Sequence, residues 1–299
     1  MSRRAWRIGI YAPAGLVGDP QAIERAVTRL EAEGHHVVVD VSCAARWQRF
    51  AGDDEARLAA ITRMAEDPRV ELAIAARGGY GWSRLLDRLD YASLARSGKR
   101  WLGHSDFTAF QLAALAHAGM VTYAGPMAAY DFGAAGASAF TSEHCWALLE
   151  NGTEVLELAL EGPDLDASGT LWGGNLALLA HLCGSRHLPR IDGGILFVED
   201  IGEAPYRIER MLYQLHFCGV LARQRAVLLG SFTGYEAGAL DNGYDLQAVV
   251  SQCRAQFGVP FYTGLPFGHV PDKITLPVGG RAALRVRDGC ARLTLSEAP

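Results

Sequence analysis

Trp101-Leu102-Gly103-His104-Ser105-Asp106-Phe107 reads as a short apolar strand running straight into a helix. The helix is the apolar stretch from Phe107 to His117. A serine at such a sharp strand-to-helix turn exposes its hydroxyl. The backbone N–H groups of the helix start then point to where an oxyanion would form, so the turn suits a nucleophile. The usual elbow reads G-x-S-x-G. Here Gly103 keeps the first glycine, and Phe107 stands where the second would be. Taken alone, the motif is equally served by Ser105 capping the helix that follows.

Working outward, strands and helices alternate. Arg7–Tyr11, Val37–Val39, Leu72–Ala76, Trp101–Leu102 and Val121–Tyr123 read as strands. Between them, Asp19-Pro20 opens a helix that Gly34 closes, with Ile23, Val27 and Leu30 on one face. Asp53–Ala65 and Ser83–Leu89 are further helical stretches. This βαβ succession predicts an α/β fold, a parallel sheet covered by helices on both faces. Ligands on such sheets sit at the carboxyl ends of the strands, where Ser105 and the glycine-rich turn after Ala76 both lie.

From about Gly152 to Gly169 the chain turns acidic and carries Gly162-Pro163. A linker over 156–168 is expected there, between an N-terminal domain (1–155) and a C-terminal mixed α/β domain (169–299). Within the latter, Asn175–Leu182, Tyr206–Phe217 and Leu246–Phe257 read as helices. Ile195–Val198 and Ala226–Leu229 read as strands. Ala282–Val286 and Ala291–Leu295 form a hairpin turned at Asp288-Gly289.

Composition narrows the function classes. The chain is 49% hydrophobic and 20% charged, with formal net charge −5. That apolar content fills a sizeable core. The absence of any Lys/Arg-rich run argues against nucleic acid and anionic membranes as partners. Six scattered cysteines, with no C-x-x-C pair, argue against a zinc site or a disulfide framework. The start lacks the apolar core of a signal peptide, and no run of about 18 apolar residues occurs. A cytoplasmic protein is the expectation.

A serine nucleophile needs a base, and the base needs an orienting carboxylate. Of nine histidines, His35 and His36 read as surface residues at a helix-to-strand turn, and most others lie in or beside helices. His269 sits in the irregular segment Leu265-Pro266-Phe267-Gly268-His269-Val270-Pro271, the kind of loop that carries catalytic groups. For the carboxylate, the apolar strand Ile195–Val198 ends in Glu199-Asp200, with Glu203 nearby. All three acids fit, though Asp200 or Glu203 would equally cap the helix starting near Pro205. Arg77-Gly78-Gly79-Tyr80-Gly81 follows a buried strand and supplies a second oxyanion donor. It lacks the spacing of a dinucleotide or P-loop motif.

Several segments in order make the chain resemble the LD-carboxypeptidases, and more distantly the microcin C immunity peptidases. They are Ala12-Pro13-Ala14-Gly15, Arg77–Gly81, Gly103–Thr108, Gly173-Gly174-Asn175-Leu176 and Leu196–Asp200. Tyr206–Leu212, Gly268-His269 and Thr275–Gly279 complete them. The resemblance implies a flavodoxin-like N-terminal domain, a smaller C-terminal mixed domain and a cleft between them, commonly in a homodimer. It implies a triad of Ser105, Glu199 and His269, and an oxyanion hole from the backbone N–H groups of Gly79 and Asp106. Tyr80 and Asn175 are expected against the substrate. His104 departs from the family, which often has tyrosine there.

The implied reaction is hydrolysis of the bond between an L-centre diamino acid and terminal D-alanine in murein tetrapeptide, during cell-wall recycling, without metal or cofactor. An immunity-type peptidase acting on adenylate-like toxic peptides is the alternative, and a non-enzymatic two-domain ligand-binding protein the lower one. Arg77, Arg186 and Arg207 are unranked candidates to read the substrate's terminal carboxylate.

Overall fold

The computed structural model describes residues 4–298. Its first half runs β1 (Arg7–Tyr11), α1 (Pro20–Ala32), β2 (His36–Val39), α2 (Asp54–Glu66), β3 (Leu72–Ala75) and α3 (Tyr91–Arg96). Then come β4 (Arg100–Gly103), α4 (Thr108–Ala118), β5 (Thr122–Ala124) and α5 (Ala139–Asn151). The second half holds β6 (Thr153–Ala159), β7 (Leu165–Asn175), α6 (Leu176–Leu182), β8 (Gly194–Ile201), α7 (Pro205–Phe217) and β9 (Gln224–Thr233). It closes with α8 (Leu246–Gln256), β10 (Phe261–Thr263), β11 (Leu276–Val278), β12 (Arg281–Arg287) and β13 (Cys290–Ser296).

The first sheet has the order β2-β1-β3-β4-β5-β11. Its first five strands are parallel in the flavodoxin-like order 2-1-3-4-5. The second sheet is mixed, ordered β10-β9-β8-β7-β12-β13-β6. There β7 to β10 run parallel, while β12, β13 and β6 pair antiparallel.

Three expectations are corrected. The stretch 156–168 is not a linker: it holds the end of β6 and the start of β7, both within the second sheet. Glu157 sits at an outward, exposed position of the edge strand β6, and the alternation Leu156-Glu157-Leu158 is the strand signal. Nor do the two halves divide cleanly, because β11 returns to pair antiparallel with β5 in the first sheet. His35 is buried rather than superficial: its ring lies 4.4 Å from that of Trp146, and its Nδ1 accepts the Trp6 N–H.

The 83–89 stretch is two single 3₁₀ turns, Trp82–Arg84 and Leu86–Arg88, with the true helix following at α3. In α2 the side chains turned inward are Arg57, Ala60, Ile61 and Met64, and Leu58 is only partly buried. Arg57 is fully buried yet donates to the carbonyls of Pro13 and Gly81 and pairs with Asp54.

Helix α4 explains why its sequence is apolar on all sides. Every residue from Thr108 to Ala114 is buried, because the helix packs against both β5 of the first sheet and β7 of the second. The turn that carries Ser105 therefore sits at the junction of the two sheets.

Candidate active site

Ser105 holds a left-handed backbone, φ 64°, directly after β4. A non-glycine residue in that region is strained, and such strain collects at functional turns. It aims the hydroxyl into a cleft of about 570 Å³. On one side the cleft is walled by the turn after β3. On the other it is walled by residues 127–138 and by the segment carrying His269.

The structure brings Ser105, His269 and Glu199 together. The His269 Nε2 lies 3.0 Å from the Ser105 Oγ, and its Nδ1 lies 2.7 Å from the Glu199 carboxylate. Glu199 is fully buried at the end of β8, whereas Ser105 and His269 are half-buried. Burial pulls the His269 pKa down, but the hydrogen bond and charge of Glu199 outweigh it, so the net direction is up. The arrangement holds one imidazole nitrogen on a hydroxyl and the other on a carboxylate, which permits proton transfer from the one while the other stabilises the resulting cation.

The acids beside Glu199 are separated by their partners. The Asp200 carboxylate accepts from the Ala177 N–H at the start of α6, from its own neighbour Ile201 and from the Asn175 amide. Burial raises its pKa to about 6. It therefore serves α6, and neither it nor Glu203 caps α7, whose N-cap is Ala204 without a side-chain bond.

Asn175 is not on the cleft surface. It is buried behind Glu199, donating to it at 3.3 Å and to Asp200 at 2.8 Å while its Oδ1 caps α6. Its backbone N–H reaches the Thr108 hydroxyl at 2.9 Å. Gly174 makes that approach feasible: it lies at φ 136°, and a Cβ there would stand 2.3 Å from the Thr108 Oγ1. Tyr80 also stands outside the cleft lining, exposed beside Phe50 with Arg49 over its ring.

Gly79 and Asp106 both line the cleft beside Ser105, and burial raises the pKa of the Asp106 carboxyl.

Several cleft residues carry no signal in the sequence. His104 lies next to Ser105, and neighbours on a turn usually diverge; yet it lines the cleft, 5.0 Å from the His269 ring, with Nδ1 on the Gly125 carbonyl. Burial first, then the charges of Lys273 and His269, hold it well below the usual imidazole range. Lys273 and Asp131 form a buried ion pair across the cleft wall. The Thr141 hydroxyl donates to the Pro271 carbonyl and accepts from the Lys273 N–H. The segment carrying His269 is thus fastened to the first half of the chain as well as to β9. His117, His187 and Asp87 bond to one another away from the cleft.

Residues 8–125 match the model of the LD-carboxypeptidase N-terminal domain, and residues 168–284 that of the C-terminal domain. The crystal structure of a muramoyltetrapeptide carboxypeptidase from Oxalobacter formigenes superposes with TM-score 0.92. It is 46% identical, covering 98% of this chain and 99% of that one. The murein tetrapeptide carboxypeptidase of Pseudomonas aeruginosa is 32% identical, over 93% of this chain and 92% of its own length. A microcin C7 self-immunity protein in complex with aspartyl sulfamoyl adenosine shares the fold, with TM-score 0.89 at 21% identity, covering 100% of this chain and 99% of that one.

Proposed function

Because the chain belongs to the LD-carboxypeptidase family, we propose that it is a serine carboxypeptidase that removes terminal D-alanine from murein tetrapeptide. The observation that carries this is the unbroken line Ser105–His269–Glu199, with bonds of 3.0 and 2.7 Å, opening on a cleft of about 570 Å³. The murein carboxypeptidase relatives support the choice of substrate.

In this mechanism the Ser105 Oγ attacks the carbonyl carbon of the L-centre diamino acid as His269 Nε2 takes the hydroxyl proton. Glu199 stabilises the imidazolium from the other nitrogen. The carbonyl oxygen becomes an oxyanion held by the N–H groups of Gly79 and Asp106, two residues of the cleft lining beside Ser105. Collapse breaks the C–N bond, and His269 returns the proton to the leaving amine of D-alanine. Water then attacks the acyl-enzyme, giving its proton to His269, and Ser105 leaves with that proton. The same reading makes the protein a cytoplasmic homodimer working on recycled wall fragments. The adenylate-directed alternative has the shared fold as its support.

The test is D-alanine release from purified murein tetrapeptide. Wild type is expected to release it, and Ser105→Ala to lose roughly 10³-fold or more in kcat. Equal rates in both would remove Ser105 from the reaction.

A further inference from the structure

We infer that Arg77 reads the terminal carboxylate of the substrate and so makes the enzyme an exopeptidase; this rests on the carboxypeptidase reading above. The cleft lining holds one arginine and one lysine, Arg77 and Lys273. Lys273 is neutralised by its buried pair with Asp131. Arg77 forms no ion pair among the described residues; Asp106 feels its charge without pairing with it. An unpaired guanidinium beside a nucleophile is a ready counter-ion for a carboxylate, which arginine binds through a planar fork.

Position supports the assignment. Arg77 precedes Gly78-Gly79, and these two glycines touch the two groups concerned. A Cβ on Gly78 would stand 2.7 Å from the Ser105 Cβ, and one on Gly79 would stand 3.1 Å from the Arg77 Nη2. The same short turn thus adjoins both Ser105 and the guanidinium. In the substrate, the terminal carboxylate lies one residue, about 3.5 Å of extended chain, beyond the bond that breaks.

The side chain is also held ready. Its Nη1 donates to the Leu16 carbonyl at 2.9 Å, and the Tyr130 ring faces it at 5.5 Å. Its Nε is buried with no hydrogen-bond partner among the described residues. The other candidates are engaged elsewhere: Arg186 pairs with Asp87 and Arg207 with Glu203, both outside the cleft.

The test compares a tetrapeptide ending in D-alanine with the same peptide ending in D-alaninamide. Wild type is expected to favour the acid by about 10²-fold or more in kcat/KM. Arg77→Met should lose about 10²–10³-fold on the acid while changing little on the amide, so that the preference disappears. Arg77→Lys should keep part of it, since the charge survives and the fork does not. A merely structural role would lower both substrates together and leave the ratio intact, which overturns the assignment. Wild type cleaving acid and amide equally overturns it without any variant. Cleavage of neither peptide by wild type would sink the carboxypeptidase reading itself. A carboxylate on the diamino-acid side chain as the true ligand of Arg77 would show as an unmoved acid-to-amide ratio in Arg77→Met.

Discussion

The Asn175 backbone N–H donates to the Thr108 hydroxyl at 2.9 Å, joining the helix that begins just after Ser105 to the strand end that holds Glu199 in place. Thr108 stands three residues beyond Ser105, and Asn175 pairs with Glu199 across β7 and β8. One bond thus couples the position of the hydroxyl to that of the carboxylate, although the two belong to different sheets.

Replacing Thr108 by valine keeps the shape and removes the acceptor. The Asn175 N–H would then be buried and unpaired, a loss of about 1–3 kcal/mol. Chemical denaturation of Thr108→Val should show that loss as a lower midpoint at unchanged slope. An unchanged midpoint would mean the junction does not depend on this bond.

Asn175 has two partners among the carboxylates, so its substitutions should differ in kind. Asn175→Ala removes a helix cap and two donors, and is expected to destabilise by about 1–3 kcal/mol. Asn175→Asp keeps the cap but places a third carboxylate beside Glu199 and Asp200. It should lower kcat more than Asn175→Ala at neutral pH and recover in part on acidification, as like charges are relieved. Thermal melts and a kcat–pH series on the two variants would decide this, and a greater activity loss in Asn175→Ala would count against it.

The pH profile follows from His269. The base works neutral, and Glu199 raises its pKa above the ordinary 6.5, so activity should rise with pH through a value above 6.5. Stability runs the opposite way: the paired imidazolium stabilises the fold fully below the unfolded pKa, and that contribution is lost as pH rises through the raised folded one. Glu199→Gln removes the charge that raises it. The acid limb should move down and kcat should fall by roughly 10²–10⁴-fold. An acid limb that stays in place would show that a different group titrates.

Loss of the hydroxyl in Ser105→Ala should abolish turnover yet spare binding, because the N–H donors and Arg77 remain. Calorimetry with the intact tetrapeptide is expected to report affinity within about threefold of the wild-type KM, the range in which a residue acting only in the transition state leaves ground-state binding. Loss of binding along with turnover would give Ser105 a part in holding the ground state.

Local pattern alone determined much of this protein. The βαβ rhythm, the strand-to-helix turn at Ser105, the cap at Asp19-Pro20 and the Asp288-Gly289 hairpin are set by contacts between near neighbours, and they stand in the sequence as period, cap and turn residues. His269 stood out because its loop is irregular. The acidic run over 156–168 misled, since composition spoke of a linker while the period-2 alternation marked an edge strand. Helix α5 is bracketed by the caps Ser138 and Gly152, a start and stop signal that the apolar pattern alone does not give. What only the tertiary structure decided is which distant groups meet: Asn175 behind Glu199, His104 against His269, Lys273 on Asp131, and Arg77 on the Leu16 carbonyl. Each of these depends on two sheets closing over α4 and on β11 crossing back between them. The pairing of charges across such a junction has no period along the chain, so it becomes visible only when the chain is folded.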